Sequence, residues 1–111
     1  VLFRSLHRPI LTGCSYERMV QLSQHYDSLN FEAAAQADDQ SIIFAEAQLL
    51  SFDAEGRISI PQDLRDYAGI TNQIAFVGRG ATFELWNPEV VQAYHSDLRE
   101  KIRQRGRITD V

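Results

Sequence analysis

Residues 53–70 constrain the fold of this chain more than any other stretch, because they combine a turn, a strand pattern and both ends of a helix. They read D-A-E-G-R-I-S-I-P-Q-D-L-R-D-Y-A-G-I. The carboxylate of Asp53 can accept hydrogen bonds from the backbone just after it, and Gly56 can adopt the positive φ that closes a short hairpin loop. Asp53 and Gly56 are therefore predicted to form the turn.

The residues after this turn alternate between polar and apolar side chains. Arg57 and Ser59 alternate with Ile58 and Ile60. This alternation is typical of a strand with one solvent-exposed face and one buried face. Arg57 is therefore predicted to point away from the core. Residues 48–53 are predicted to form the strand that leads into the turn.

The segment after Pro61 is predicted to be a short helix. Proline suits the first turn of a helix, and Asp63 lies where a negative charge favours the positive helix end. The apolar residues that follow share one helical face, and Gly69 supplies a left-handed cap. Arg65 lies off the apolar face.

The rest of the chain shows short strand patterns and amphipathic helices. Residues 1–11 read as one strand, or as two strands bent at Arg8 and Pro9, because proline disfavours a central ladder position. The other predicted elements are a helix from Ser15 to about Leu29, a helix capped by Asn30 that is rich in alanine from Ala33 to Ala37 and ends near Phe44, a hairpin of Ile74–Val77 with Phe83–Trp86, and a helix begun by Asn87 and Pro88.

Four segments resemble one known family. Residues 53–70 resemble the D-x-x-G-R…P…L-R…G-I signature of the SpoVT-AbrB fold, and residues 74–86, I-A-F-V-G-R-G-A-T-F-E-L-W, resemble the second repeat of the MraZ family. Residues 1–11 resemble the last hairpin of that family's first repeat. Residues 40–47, Q-S-I-I-F-A-E-A, resemble the helix that leads into the second repeat.

The resemblance implies an α+β fold: a swapped-hairpin β-barrel of the AbrB type, in which strands of two pseudo-repeats interleave, with flanking linker helices. It divides the chain into a remnant of the first repeat (residues 1–14), a helical linker (15–46), the second repeat (47–90) and a C-terminal helix and tail (91–111). The family carries a D-x-x-G-R turn in each repeat, and this chain has one. We therefore expect the N-terminal part of the first repeat to be missing.

The same resemblance implies a bacterial, cytoplasmic and nucleoid-associated transcriptional regulator that assembles into rings. Its partner would be double-stranded promoter DNA, at direct repeats upstream of the division and cell-wall gene cluster. Arg57 would enter the groove and Arg65 would position the DNA backbone. Arg79, at the hairpin tip, is a third candidate for DNA binding, with a solvated tip residue as the alternative. Arg57 and Arg65 have a plainer alternative too, because surface arginines often pair only with acidic neighbours.

The net charge of −4 argues against DNA binding unless the positive charge is concentrated. Six acidic residues and one arginine, Arg18, lie between residues 15 and 46, whereas all three candidate arginines lie in the second repeat. Repeated copies of a modest arginine patch in an oligomer would add up through multivalency. The alternative function is an AbrB-fold module that oligomerises or binds a protein, as antitoxins do, without DNA specificity of its own.

Other chemistry has little support in the sequence. No nucleophile with a nearby base, phosphate-binding glycine loop or metal-ligand spacing is visible, so no enzyme activity, cofactor, metal or small-molecule substrate is expected. The single cysteine, Cys14, favours a reducing compartment, and no apolar run is long enough to span a bilayer. Trp86 is expected in the core or at a subunit interface. The basic residues at the end of the chain are better explained as a solvated helix end than as a nucleic-acid arm; they are Arg99, Lys101, Arg103, Arg105 and Arg107.

Overall fold

The computed structural model describes residues 1–27 and 34–106, which form four strands and four helices in the described part. The element order is β1 (Leu2–Arg4), β2 (Leu11–Gly13), α1 (Tyr16–Asp27), α2 (Ala34–Glu46), α3 (Gln62–Ala68), β3 (Ala75–Arg79), β4 (Thr82–Trp86) and α4 (Pro88–Gln104). The predictions for Leu29, Asn30, Ala33 and Arg107 lie outside the described residues.

The strands form one antiparallel sheet with the order β1-β2-β4-β3. The N-terminal hairpin β1–β2 bends between Arg4 and Leu11, which confirms the two-strand interpretation of this segment. The strand β2 then pairs with β4, placing Leu11 opposite Leu85. The predicted hairpin β3–β4 is confirmed, and its tip contains Gly80. The antiparallel sheet with separate helices is consistent with the predicted α+β class.

The described residues form three apolar clusters, which attach different helices to the sheet. The first joins the sheet to α3 and contains Leu2, Leu11, Leu64, Ala68, Ile70 and Leu85. The second joins β1 to the linker helices α1 and α2 through Phe3, Cys14 and Met19. Because successive strand residues face opposite sides, Leu2 and Phe3 belong to different clusters.

The third cluster fixes α4 through Ile10, Trp86 and Val91. The ring of Trp86 is 2 % exposed and stacks on Tyr94 at a centroid distance of 5.3 Å. The guanidinium of Arg8 lies 4.5 Å from the Tyr94 centroid and donates to its hydroxyl at 2.7 Å. Trp86 is therefore a core residue, which is one of the two alternatives that the sequence left open.

The helix α3 begins and ends where its sequence predicted. Pro61 precedes its first residue, and Gly69 has a φ of 63° in the left-handed region, where residues with a Cβ are strained. The amide of Asn87 donates to the Gly69 carbonyl at 2.8 Å, while the side-chain oxygen of Asn87 accepts from the backbone N–H groups of Glu89 and Val90 at the start of α4. Asn87 thus joins the end of one helix to the start of another.

The predicted strands at residues 48–53 and 57–60 are wrong. Residues 49–60 form no strand, although Gln48 makes a single bridge to Leu2 and the backbone N–H of Asp53 donates to the Arg57 carbonyl at 2.7 Å. The alternating pattern is present in the sequence, but a strand also requires a neighbouring backbone along its length, and none pairs with this segment in the described part of the chain.

The sheet is open, so the described residues do not form a closed barrel. The strands β1 and β3 are its two edges. An apolar groove of about 490 Å³ runs along residues 49–58, and the side chains of Leu49 and Phe52 in it are 67 % and 74 % exposed. Leu49 and Phe52 are therefore left largely in solvent, whereas Leu50 and Ile60 of the same segment pack against the first cluster.

Candidate nucleic-acid interface

The turn at residues 53–57 is held by one carboxylate. The Oδ1 atom of Asp53 accepts from the backbone N–H groups of Glu55 at 2.8 Å and Arg57 at 2.9 Å. The Gly56 N–H donates to the Asp53 carbonyl at 3.1 Å, and Gly56 has a φ of 80°. Asp53 and Gly56 thus fix the backbone from which the Arg57 side chain extends.

The pKa of Asp53 is lowered from its ordinary value, chiefly because its carboxylate accepts a hydrogen bond from the Arg57 backbone N–H. The Glu55 backbone N–H and the Arg57 side chain lower it further. Asp53 is therefore ionised at neutral pH, and its bonds to the turn are charge-assisted hydrogen bonds, which are stronger than neutral ones.

The Arg57 side chain is exposed but already paired inside the turn. Its Nε donates to Asp53 Oδ2 at 3.1 Å, and its Nη2 lies 3.2 Å from Glu55 Oε2. The side chain remains 69 % exposed, so the guanidinium points to solvent as predicted. Exposed ion pairs of this kind contribute little free energy, which leaves the arginine able to exchange partners.

The other two candidate arginines are also held by neighbours. Arg65 on α3 donates to Gln62 at 2.7 Å, and Gln62 donates in turn to Asp66 at 2.6 Å. Arg79 at the hairpin tip donates to Glu84 at 3.1 Å. Arg57, Arg65 and Arg79 thus lie in three separate elements, and no ion pair or hydrogen bond between described residues joins any two of them.

An arginine that the sequence did not single out holds α3 in place. Arg4 of β1 contacts Glu46 at the end of α2 at 3.3 Å and Asp63 in the first turn of α3 at 3.2 Å. Its guanidinium also lies 5.6 Å from the centroid of the Tyr67 ring. The ion-pair partners are 42 and 59 residues away, so no local pattern identifies them. Arg4 thereby helps to set where Arg65 is presented.

The described residues offer no other recognisable chemistry. Within residues 1–27 and 34–106, no group of three His, Cys, Asp or Glu residues is arranged to hold a metal ion. Over the same residues, no helix is long and apolar enough to cross a membrane. Cys14 is buried, and burial raises the pKa of its thiol, which makes it a poor nucleophile.

The fold and the turn define a class first: small α+β proteins that carry an exposed arginine on a D-x-x-G-R turn, followed by a capped helix and a glycine-tipped hairpin. Residues 43–108 match the family model of the MraZ protein. The chain belongs to the MraZ family, which confirms the resemblance.

Relatives in three Rickettsia species match nearly the whole chain. "Transcriptional regulator MraZ" of Rickettsia canadensis is 34 % identical over 109 residues, which are 98 % of this chain and 72 % of the relative. The proteins of the same name in Rickettsia bellii and Rickettsia felis are 33 % identical over the same shares of each chain.

Proposed function

We propose that this protein is a sequence-specific, double-stranded-DNA-binding transcriptional regulator of the MraZ type, acting in the cytoplasm at the nucleoid and not as an enzyme. The observation that carries the proposal is the Asp53–Arg57 turn, which presents an exposed guanidinium on a backbone fixed by a carboxylate. The names of the relatives support the regulatory role. The target would be the promoter of the division and cell-wall gene cluster.

In this mechanism Arg57 makes the decisive DNA contact. Guanidinium groups form two parallel hydrogen bonds with phosphates or with guanine edges, and an arginine held at its Nε by Asp53 loses less freedom when it does so. Arg65, on the short helix that follows, would contact the DNA backbone. Arg79 would contribute through its terminal nitrogens, because its Nε is bound to Glu84.

The proposal includes a homo-oligomer and the swapped-hairpin barrel. The exposed apolar side chains of residues 49–58 and the outer edge of β1, which in the described residues pairs only through the Leu2–Gln48 bridge, support it, because a further strand packed there would cover both. A ring would also bring several Arg57 side chains to one DNA molecule, which an acidic chain needs for useful affinity.

Replacing Arg57 tests the proposal. In a titration against promoter DNA, Arg57→Ala should weaken binding by about 1–3 kcal/mol for each base that the guanidinium reads. It should also lower the log–log salt slope by about 0.9 for each phosphate that the guanidinium neutralises. Arg103→Ala is the matched control, since Arg103 is an equally exposed arginine paired with Glu100. Wild-type affinity and salt dependence in Arg57→Ala would contradict the role of Arg57.

A second candidate function is an AbrB-fold module for oligomerisation or protein binding, as in antitoxins. One observation favours it: all three candidate arginines already have partners within the chain. A gel-shift assay together with a light-scattering mass separates the two functions. A defined oligomer without sequence-dependent DNA affinity would support the second.

A further inference from the structure

The guanidinium proposed to contact DNA is shared between two carboxylates. Its Nε is bound to Asp53 and its Nη2 is paired with Glu55, while in the described part of the chain Nη1 has no partner. Each terminal nitrogen carries two N–H groups, so an incoming acceptor that uses both Nη1 and Nη2 must either share Nη2 with Glu55 or displace Glu55 from it. The Nε contact with Asp53 can remain.

The two carboxylates have different roles in the turn. Asp53 accepts two backbone N–H groups as well as the Arg57 Nε, so its removal would loosen the loop. Glu55, by contrast, has Arg57 Nη2 as its one side-chain contact within the described residues, and its side chain is 70 % exposed. Glu55 adds a negative charge to the turn without holding its backbone.

We propose that Glu55 sets the DNA affinity of this turn by competing with a DNA phosphate for Nη2 of Arg57. The inference rests on the proposed function and names the residue that tunes it. A bound phosphate would also lie close to the Glu55 carboxylate, and like charges repel. Both effects reduce affinity while leaving the geometry of the turn unchanged.

The other candidate arginine that is paired with a glutamate, Arg79, shows why the competition concerns Glu55. Glu84 is mostly buried, and its Oε1 accepts from both Arg79 Nε and Trp86 Nε1, at 3.1 and 2.9 Å. Because Glu84 is bound to Nε, an acceptor at the terminal nitrogens of Arg79 would not have to displace it, whereas Glu55 lies on a terminal nitrogen of Arg57. Glu55 returns to water when it is displaced.

Glu55→Gln tests this competition in the full chain. The variant should bind labelled promoter DNA roughly two- to five-fold more tightly at low salt, the range expected for removal of one exposed ion pair. The gain should shrink as salt is added, because exposed charges are screened. Glu55→Lys should also raise the log–log salt slope by up to about 0.9. The thermal unfolding midpoint of Glu55→Gln should match that of the wild type.

Two controls separate local competition from a general change in charge. Glu100→Gln removes the same charge from another exposed glutamate paired with an arginine, and it should change affinity less than Glu55→Gln does. Glu55→Gln should increase DNA affinity less in the Arg57→Ala background than in the wild type. Equal DNA affinity of Glu55→Gln and the wild type would overturn the inference. So would an equal increase in DNA affinity in Glu100→Gln, or an equal increase when Arg57 is absent. Absence of specific binding by every variant would contradict the proposed function and this inference together.

Discussion

At the scale of single residues, the turn depends on the chemistry of Asp53. One short carboxylate reaches two backbone N–H groups and a guanidinium, a combination available to aspartate because its side chain folds back on its own backbone. Asp53 and Gly56 were predictable from the sequence for this reason: both act within the same five residues.

The ionised state of Asp53 gives the turn a pH dependence with a definite sign. Because folding lowers the pKa of this carboxylate, its contribution is present above the ordinary aspartate range and is lost as the pH falls through the lowered pKa. We expect the Asp53 carboxyl to titrate below 3.8 in an NMR experiment. The amide resonances of Glu55 and Arg57 should move with the same midpoint.

Asp53→Asn is the control for this titration, since it keeps an acceptor oxygen and removes the ionisation. In that variant the two amide resonances should lose the transition. A midpoint at or above 3.8 in the wild type would mean that these hydrogen bonds do not stabilise the charged form of the carboxylate.

The sequence did not show which acidic residues pair with the arginines. Pairing of Arg57 with an acidic neighbour was an open alternative from the sequence, and the structure places Asp53 and Glu55 on its guanidinium. Such pairing does not exclude DNA contact, because the pairs are exposed and exchangeable. Arg4 was missed altogether, since its partners are distant in the chain.

At the scale of elements, those that rely on local signals were predictable and those that rely on a distant partner were not. The residues that start α3, form its apolar face and cap its end all lie within the nine residues 61–69, and the helix lies where the sequence predicted. Residues 57–60 have a strand period and residues 48–53 were predicted to lead into the turn, but in the described part of the chain the Leu2–Gln48 bridge is the only strand-like pairing that either segment makes. A period shows which side chains would be buried, not whether a partner strand is there to bury them.

The junction between α3 and α4 should be sensitive to Asn87. Asn87→Ala removes the cap acceptor for Glu89 and Val90 together with the donor to Gly69, so we expect the free energy of unfolding to fall by about 1–2 kcal/mol. Chemical denaturation measures this decrease.

Asn87→Asp separates the two roles of the side chain. Aspartate caps a helix as well as asparagine does but cannot donate to the Gly69 carbonyl. It should therefore destabilise the protein less than Asn87→Ala. Equal destabilisation by Asn87→Ala and Asn87→Asp would assign the effect to the hydrogen bond with Gly69. If neither variant lowered the free energy of unfolding, this junction would not limit stability.

At the scale of the whole molecule, three small clusters take the place of one large core. Each cluster attaches one group of helices to the sheet, while the groove along residues 49–58 leaves large apolar side chains in solvent. The family resemblance was sufficient for the fold class. It did not predict that the sheet is open. A sheet closes into a barrel only when its two edge strands also pair with neighbouring backbone, and a sequence motif does not show whether they do.

The charge of the whole molecule leads to a prediction about how it engages DNA. A chain with a net charge of −4 that offers one exposed guanidinium per D-x-x-G-R turn should bind a single site weakly, because counterion release by a few cations gives little affinity. In an oligomer, binding of the first subunit makes the DNA contacts of the other subunits intramolecular. The overall DNA affinity then rises by a factor of about 10²–10⁴ when the geometry lets several subunits bind at once.

On a promoter with the direct repeats that the family resemblance implies, fragments that keep all, two or one of them measure this effect. Affinity should rise by far more than the number of repeats. Insertion of half a helical turn between repeats should abolish most of this increase, because it rotates one site away from the proposed ring. Arg57→Ala, present in every copy, should weaken binding to the fragment with all repeats more than to the fragment with one. Affinity that rises only in proportion to the number of repeats would mean that each subunit binds independently, and the acidic chain would then need a source of affinity other than repeated copies of the Arg57 turn.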